Sequence, residues 1–189
     1  MTKFWEQIPR LYDFPLGKAY EEAMQVYPKA LSRVRDKSPE AYSDSKWKGI
    51  TLRGEGWDVL NPPRGNKEMK WTKISEECPV ISNWVQSYFN FFPYIGRVRF
   101  NYLEPGGRLG LHQDNDEWAT QISIHLNVPR DYSWRFFESK EDYPDKFEQV
   151  PLVPGVGFIM ETRALHELIN DSEQVRINLI IDGPLALRE

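Results

Sequence analysis

The sequence predicts a mainly β protein in which a barrel of short strands is flanked by helices. Three segments in the second half of the chain alternate apolar and polar residues, which is the pattern of a strand with one buried face. These segments are Arg97–Glu104, Ala119–Val128 and Arg176–Asp182. A barrel whose strands carry polar side chains on one face is suited to holding a ligand, although a solvated sheet face would have the same pattern.

The elements before the barrel are expected to form a layer of helices and loops around it. Gly17–Arg35 has apolar residues at roughly helical spacing, interrupted at Pro28. Ile50–Leu52 is a predicted strand, whereas Asn61–Lys73 is rich in proline, glycine and basic residues and is a predicted solvated loop. Val80–Phe92 carries a broad apolar stripe, which predicts a helix packed on the outside of a sheet.

Length and composition are those of a small globular protein. A chain of 189 residues favours one domain, here divided into an N-terminal layer (1–94) and a barrel core (95–183). The net charge of −4 gives no electrostatic reason to expect a nucleic-acid partner. The single cysteine, Cys78, excludes an intrachain disulfide, and the absence of a signal-like stretch or an apolar run of about 18 residues favours a cytoplasmic, non-membrane protein.

The three histidines all lie in the predicted β region. His112 and Asp114 form a His-x-Asp pair, and residues two apart in an extended segment point to the same side. Together with the distant His166 they would supply two imidazoles and a carboxylate, the set that holds Fe(II) in mononuclear non-haem sites while leaving positions open. A zinc hydrolase could use the same three donors and is an alternative.

Arg176 opens the last predicted strand, ten residues after His166, on the face opposite the apolar residues. An arginine inside a barrel requires an anionic partner, and a dicarboxylate co-substrate could pair with it through two parallel hydrogen bonds. The alternative is an arginine at the rim, paired with Asp171 or Glu173. His125 lies on the polar face of its own predicted strand and is either a contact to the co-substrate or a surface histidine.

The region from Arg97 to Asp182 resembles the core of the aspartyl/asparaginyl β-hydroxylase family of 2-oxoglutarate- and Fe(II)-dependent oxygenases, which includes bacterial proline cis-4-hydroxylases. The matching motifs are Glu104–Gly107, His112–Asp114, Ile124–Val128 and His166–Ser172, with Arg176 at the family's distance from the second histidine. The resemblance implies a double-stranded β-helix, a jelly-roll barrel like that of cupins, that uses Fe(II), 2-oxoglutarate and O₂. It implies His112, Asp114 and His166 as the catalytic iron ligands, Arg176 as the clamp on the far carboxylate of 2-oxoglutarate, and His125 as a second contact to it.

Two positions separate this chain from some relatives. Ser123 stands where many of them have an arginine that holds a carboxylate. One of Arg108, Arg130 and Arg135 is a possible replacement. The ligand carboxylate Asp114 is present, which places the chain nearer the bacterial amino-acid hydroxylases than the animal aspartyl hydroxylase.

The resemblance and the short chain favour hydroxylation of an aliphatic carbon in a small polar substrate, such as a free amino acid or a similar carboxylate. A peptidyl hydroxylase acting on aspartyl, asparaginyl or prolyl residues is the alternative within the same chemistry. A non-catalytic jelly-roll binding module would explain the fold but not a complete ligand set. Trp118, just beyond the ligand pair, is the aromatic residue most suited to touch the substrate.

Overall fold

Two β-sheets and two helices make up the regular structure of the computed structural model within its described residues, which are 4–8, 11, 13–32, 46–55, 69–88, 95–114 and 120–183. The helices are α1 (Leu16–Val26) and α2 (Pro79–Tyr88). The strands are β1 (Trp5–Gln7), β2 (Leu31–Ser32), β3 (Trp47–Glu55), β4 (Met69–Trp71), β5 (Val98–Leu103), β6 (Gly107–His112), β7 (Thr120–His125), β8 (Tyr132–Phe137), β9 (Glu148–Gln149), β10 (Gly157–Met160), β11 (Leu165–Asn170) and β12 (Arg176–Gly183). None of the described helices is long and apolar enough to cross a membrane.

Along the chain, the strands of the barrel alternate between the two sheets. The larger sheet has the order β1-β10-β7-β12-β5-β3-β2, with β4 paired to β3, and the smaller sheet has the order β6-β11-β8-β9. Successive strands from β5 to β8 therefore lie in opposite sheets, as do β10, β11 and β12. This alternation between two facing sheets is the double-stranded β-helix, so the predicted fold is confirmed.

The alternation of apolar and polar residues gives β5, β7 and β12 two different faces. The apolar residues of β5, β7 and β12 face outward and pack under the two helices; they are Val98, Phe100, Tyr102, Ile122, Ile124, Ile177, Leu179 and Ile181. The polar residues of the same strands face the barrel interior, where His125 lies close to Trp134 of β8 in the facing sheet and to Phe158 of the neighbouring strand β10. The strands predicted as half-buried are in fact covered on both faces, because Arg99, Asn101 and His125 are all buried.

The N-terminal layer follows the sequence prediction with two corrections, of which the first is that Leu31–Ser32, inside the segment of helical spacing Gly17–Arg35, form β2 and pair with β3. Helix α1 ends at Val26 and a short 3-10 helix, Tyr27–Lys29, carries Pro28. Helix α2 begins where the Glu22 carboxylate of α1 accepts hydrogen bonds from the backbone N–H groups of Val80 and Ile81, at 2.7 and 3.0 Å. These bonds satisfy two of the donors that a helix N-terminus leaves without partners.

The second difference from the prediction lies in the predicted loop Asn61–Lys73. Residues 56–68 lie outside the described part of the chain, but Met69–Trp71 form β4, which pairs with the end of β3. Pairing with a neighbouring strand satisfies the backbone of this segment whatever its side chains are, so its polar composition misled the prediction. Trp118 also lies outside the described residues.

Hydrogen bonds of Asn170 hold the connection between β11 and β12 in place. Its buried side-chain amide donates hydrogen bonds to the carbonyl oxygens of Leu103, Glu104 and Gln174, at 2.8, 3.2 and 2.9 Å. Its oxygen accepts a hydrogen bond of 2.6 Å from the Ser172 hydroxyl. This network ties the end of β11 to β5 and fixes the point at which β12 begins.

Candidate active site

The two predicted histidine ligands meet at one end of the barrel. His112 is the last residue of β6 and His166 is the second residue of β11. The two residues are direct partners in the antiparallel register, and their ring centroids lie 4.2 Å apart. Strand pairing thus brings together two imidazoles that are far apart in the sequence.

Hydrogen bonds fix the tautomer of both rings. The Nδ1 atom of His112 lies 2.6 Å from the carbonyl oxygen of Gly110, and Nδ1 of His166 lies 2.9 Å from that of Ala164. A carbonyl oxygen only accepts, so each Nδ1 carries a proton, and in the neutral ring Nε2 then carries the lone pair. This is the arrangement in which metal-binding histidines are oriented by a backbone carbonyl, and both rings therefore fit a metal ion.

Aromatic residues support these rings from behind. Phe136 of β8 stacks on His166 with ring centroids 5.2 Å apart and an interplanar angle of 27°. Phe4, beside β1, stacks on Phe136 in turn, at 5.5 Å and 13°. The N-terminal segment therefore packs against the support of the site, a contact that the sequence analysis did not predict because it depends on pairing between β1 and the distant β10.

Asp114 lies two residues beyond the end of β6. Its backbone N–H donates to the carbonyl oxygen of Thr162 at 2.8 Å, and the Gln113 side chain donates to that of Arg163 at 2.8 Å. These bonds join the segment after β6 to the connection that leads into His166. Across the described ranges no group of three or more His, Cys, Asp or Glu side chains is already arranged to hold a metal ion.

Arg176 lies inside the barrel rather than at its rim. Its exposed fraction is 2%, and its guanidinium carbon lies over the rings of Tyr132 and Trp134, 4.7 and 5.3 Å from their centroids. The rim alternative is wrong, because Asp171 pairs instead with Arg108 at 2.9 Å. Burial lowers the pKa of Arg176 to about 10, which still leaves the group protonated at neutral pH.

The guanidinium of Arg176 has no compensating carboxylate among the described residues around it. Its Nε and Nη2 atoms are buried and have no hydrogen-bond partner within that part of the protein. A buried charge is costly unless an opposite charge and hydrogen bonds compensate it. The arrangement therefore fits an anionic group that accepts two hydrogen bonds, as the predicted clamp requires.

His125 is fully buried beside Arg176, so the surface alternative for this histidine is wrong. Its Nδ1 lies 2.9 Å from Oδ1 of Asn178, whose Nδ2 donates to the Ser123 hydroxyl at 2.5 Å. Because Asn178 presents its oxygen, His125 donates from Nδ1 and its buried Nε2, which has no partner in the described protein, carries a lone pair. Burial, helped by the charge of Arg176, lowers the pKa of His125 to about 3 and keeps the ring neutral.

Two of the three arginines proposed to replace the family arginine at Ser123 pair with other residues, and the third is exposed. Arg108 is exposed and pairs with Asp171, while Arg135 pairs with Glu167 at 3.4 Å and lies over the Phe147 ring at 4.6 Å. Arg130 is exposed as well. Besides Arg176, a second described arginine is buried in the barrel, Arg99, at the polar position of β5 opposite Ile180 of β12. The alternation in β5 contained this signal, because it places Arg99 on the interior face.

Solved structures with the same fold confirm the architecture. A prolyl hydroxylase from Trichoplax adhaerens, solved in complex with a hypoxia-inducible factor peptide fragment, is 11% identical with a TM-score of 0.63, over 95% of this chain and 83% of that one. A Pseudomonas putida prolyl-4-hydroxylase is 14% identical with a TM-score of 0.52, over 95% and 91%. The non-heme α-ketoglutarate-dependent carbocyclase SnoK from nogalamycin biosynthesis is 15% identical with a TM-score of 0.56, over 95% and 78%.

The double-stranded β-helix, the facing histidines and the buried arginine define an enzyme of the 2-oxoglutarate- and Fe(II)-dependent oxygenase class. No curated protein matches the chain by sequence. The model of the aspartyl/asparaginyl β-hydroxylase family matches residues 18–184, and the chain belongs to this family. The resemblance identified in the sequence is therefore confirmed and extends well beyond the motifs that carried it.

Proposed function

We propose that this protein hydroxylates an aliphatic carbon of a small polar substrate, most simply a free amino acid or a similar carboxylate. In this proposal His112, Asp114 and His166 hold Fe(II), Arg176 binds the far carboxylate of 2-oxoglutarate, and His125 is a second contact to the co-substrate. When bound, iron and 2-oxoglutarate supply the oxidative decarboxylation to succinate and CO₂ that activates O₂. The protein supplies binding, orientation and exclusion of water.

The observation that carries the proposal is the buried charge of Arg176. A guanidinium with two buried nitrogens that lack hydrogen-bond partners among the described residues is explained if its counter-ion arrives with a ligand. The bidentate geometry of arginine matches a carboxylate, and its charge persists at neutral pH because its pKa is about 10. Neither a zinc hydrolase nor a purely structural barrel requires such a group.

Strand β8 contacts both Arg176 and one residue of the histidine pair, His166. Trp134 contacts Arg176, and Phe136, the next residue on the same face, stacks on His166. Two residues of a strand span roughly 6.6 Å. A five-carbon dicarboxylate is of that order, so one co-substrate molecule can extend along this face from the histidines to Arg176.

The second candidate differs only in substrate. The fold is similar to that of the Trichoplax adhaerens enzyme, whose structure contains a peptide fragment, and this favours keeping peptides in the test.

The proposal is tested with purified protein supplied with Fe(II), ascorbate and 2-oxoglutarate. We expect one bound Fe(II) per chain and slow succinate release that accelerates with the right substrate. Mass spectrometry after incubation with the twenty amino acids and with matched short peptides should detect a gain of one oxygen, about 16 Da, as hydroxylation requires. Product from peptides alone would establish the second candidate, whereas tightly held zinc with hydrolase activity, or no succinate from any substrate, would overturn the oxygenase proposal.

A further inference from the structure

The N-terminal segment, residues 4–8, lies before the part of the chain that the family model matches, which begins at residue 18. It is nevertheless built into the larger sheet, because β1 pairs with β10 in antiparallel register. The carbonyl oxygen of Phe4 accepts a hydrogen bond from the N–H of Glu161 at 2.8 Å, and the N–H of Ile8 donates to the carbonyl oxygen of Gly157 at 2.9 Å. The backbone of this segment is therefore held at both ends.

Phe4 is the outermost ring of a stack of three that ends on His166. Phe4 lies at 13° to Phe136, and Phe136 lies at 27° to His166, with centroid distances of 5.5 and 5.2 Å. Phe4 and Phe136 have exposed fractions of 5% and 0%, so neither ring can turn aside without opening a gap in a packed interior. Two rings in series therefore support one face of the His166 imidazole, while the carbonyl oxygen of Ala164 fixes its Nδ1.

The backbone of Phe4 is also connected to the segment that carries Asp114. Glu161, whose N–H donates to Phe4, is followed by Thr162, whose carbonyl oxygen accepts a hydrogen bond from the N–H of Asp114 at 2.8 Å. The same connection leads from β10 into β11, where His166 is the second residue. Phe4 is thus linked by its ring to one predicted iron ligand and by its carbonyl oxygen to the connection that holds another.

We propose that Phe4 is a positioning residue of the iron site, which acts through Phe136 to hold the His166 imidazole in its binding orientation before the metal arrives. This inference rests on the proposed function, because it takes His166 as an iron ligand. A histidine side chain has rotational freedom that it loses when it binds a metal. Packing that already restricts the ring in the metal-free protein lowers this cost, as residues that orient metal ligands do. Phe4 therefore raises the metal affinity without touching the metal.

The test measures the binding of Co(II), an air-stable probe for Fe(II), by calorimetry and by the visible absorption of the bound ion. Phe4→Leu keeps an apolar side chain in the buried position and removes the ring. It should weaken Co(II) binding by about 2- to 10-fold, the contribution of one aromatic pair. The absorption of bound Co(II) should also change, because a less restrained His166 alters the coordination geometry. Phe4→Met, which likewise fills the space without a ring, repeats the measurement if Phe4→Leu does not fold.

Phe100→Leu is the matched control. Phe100 is a fully buried residue of β5 on the outward face, in the apolar layer under the two helices. The control makes the same chemical change outside the site, so it should lower the melting temperature at least as much as Phe4→Leu and leave the affinity and absorption of Co(II) unchanged. Equal losses of Co(II) affinity in the two variants would mean that general destabilisation is the cause, and would overturn the inference.

A double-mutant cycle shows whether Phe4 acts through Phe136. Phe136→Leu should also weaken Co(II) binding, and adding Phe4→Leu to it should cause little further loss, because the middle ring of the stack is already gone. Two losses that multiply, or an unchanged Co(II) affinity in Phe4→Leu, would overturn the inference and leave the proposed function standing. Wild-type protein that binds neither Co(II) nor Fe(II) would overturn the proposed function itself.

Discussion

Replacing Arg176 with lysine keeps a positive charge and removes the two-pronged hydrogen-bonding geometry. The wild-type guanidinium has two buried nitrogens without protein partners in the described structure, and a lysine ammonium in the same place acts as a point charge. Losing one charge-assisted hydrogen bond costs about 1.5–3 kcal/mol, which corresponds to roughly 10- to 150-fold weaker binding of 2-oxoglutarate. We expect the KM for 2-oxoglutarate to rise by a factor in this range and kcat to fall much less.

The same variant should also change the pH dependence of binding. Arg176 stays charged until its pKa of about 10. A lysine begins from a lower reference pKa and burial lowers it further, so Arg176→Lys should lose affinity as the pH rises through a range in which the wild type does not. Calorimetry from pH 6.5 to 9 on the Fe(II)-loaded protein measures this directly.

The control for this experiment is Arg108→Lys, which changes an exposed arginine paired with Asp171. It should leave the affinity for 2-oxoglutarate unchanged, because exposed ion pairs contribute little and this one lies outside the barrel. An Arg176→Lys protein that binds 2-oxoglutarate as tightly as the wild type would refute the assignment of Arg176 as the clamp.

Three further predictions concern the histidines, Asp114 and Asn170. Each of His112→Ala, Asp114→Ala and His166→Ala should abolish succinate release with little change in thermal melting; sharp melting losses in all three, with no iron bound by the wild type, would make these residues structural. The depressed pKa of His125, about 3, favours its neutral form in the folded state, so stability is full above the unfolded pKa near 6.5 and falls below it by up to about 1.4 kcal/mol per pH unit. Urea unfolding of metal-free protein at pH 7 and pH 5 should show a smaller difference for His125→Asn, and equal differences would contradict the assignment. Asn170→Ala should cost on the order of 3 kcal/mol in urea unfolding, because three backbone carbonyls lose a buried donor, and a loss below about 1 kcal/mol would refute that role.

The sequence was most informative where one strand has two different faces. In β5, β7 and β12 the alternation identified both the strands and the polar face that carries His125 and Arg176. It did not show that the facing sheet covers the polar face, because alternation looks the same whether that face meets solvent or a neighbouring layer. For this reason the burial of Arg99 and Asn101 became evident only from the structure.

The aromatic residues of the site come together through contacts between strands that are distant in the sequence, and no local sequence pattern shows these contacts. Strand β8 reads Tyr-Ser-Trp-Arg-Phe-Phe, and its interior aromatic residues look like ordinary core residues until Arg176 is seen against them. Phe4 reaches the site through a strand pairing of about 150 residues' separation in sequence, as the register of Trp5 with Met160 shows. Arg135 was considered for the pocket because the sequence does not specify which face of β8 points inward.

The position of β12 has a consequence for how the protein is made. This strand is the last described strand in the chain, yet it lies in the middle of the larger sheet, hydrogen-bonded to β7 on one side and β5 on the other. Until the ribosome has released it, β5 and β7 have an open edge where β12 belongs, and open edges favour aggregation. Sheet completion by a late strand with distant partners also predicts slow folding. Because that strand begins with Arg176, a nascent chain acquires its central sheet and its buried charge in the same event.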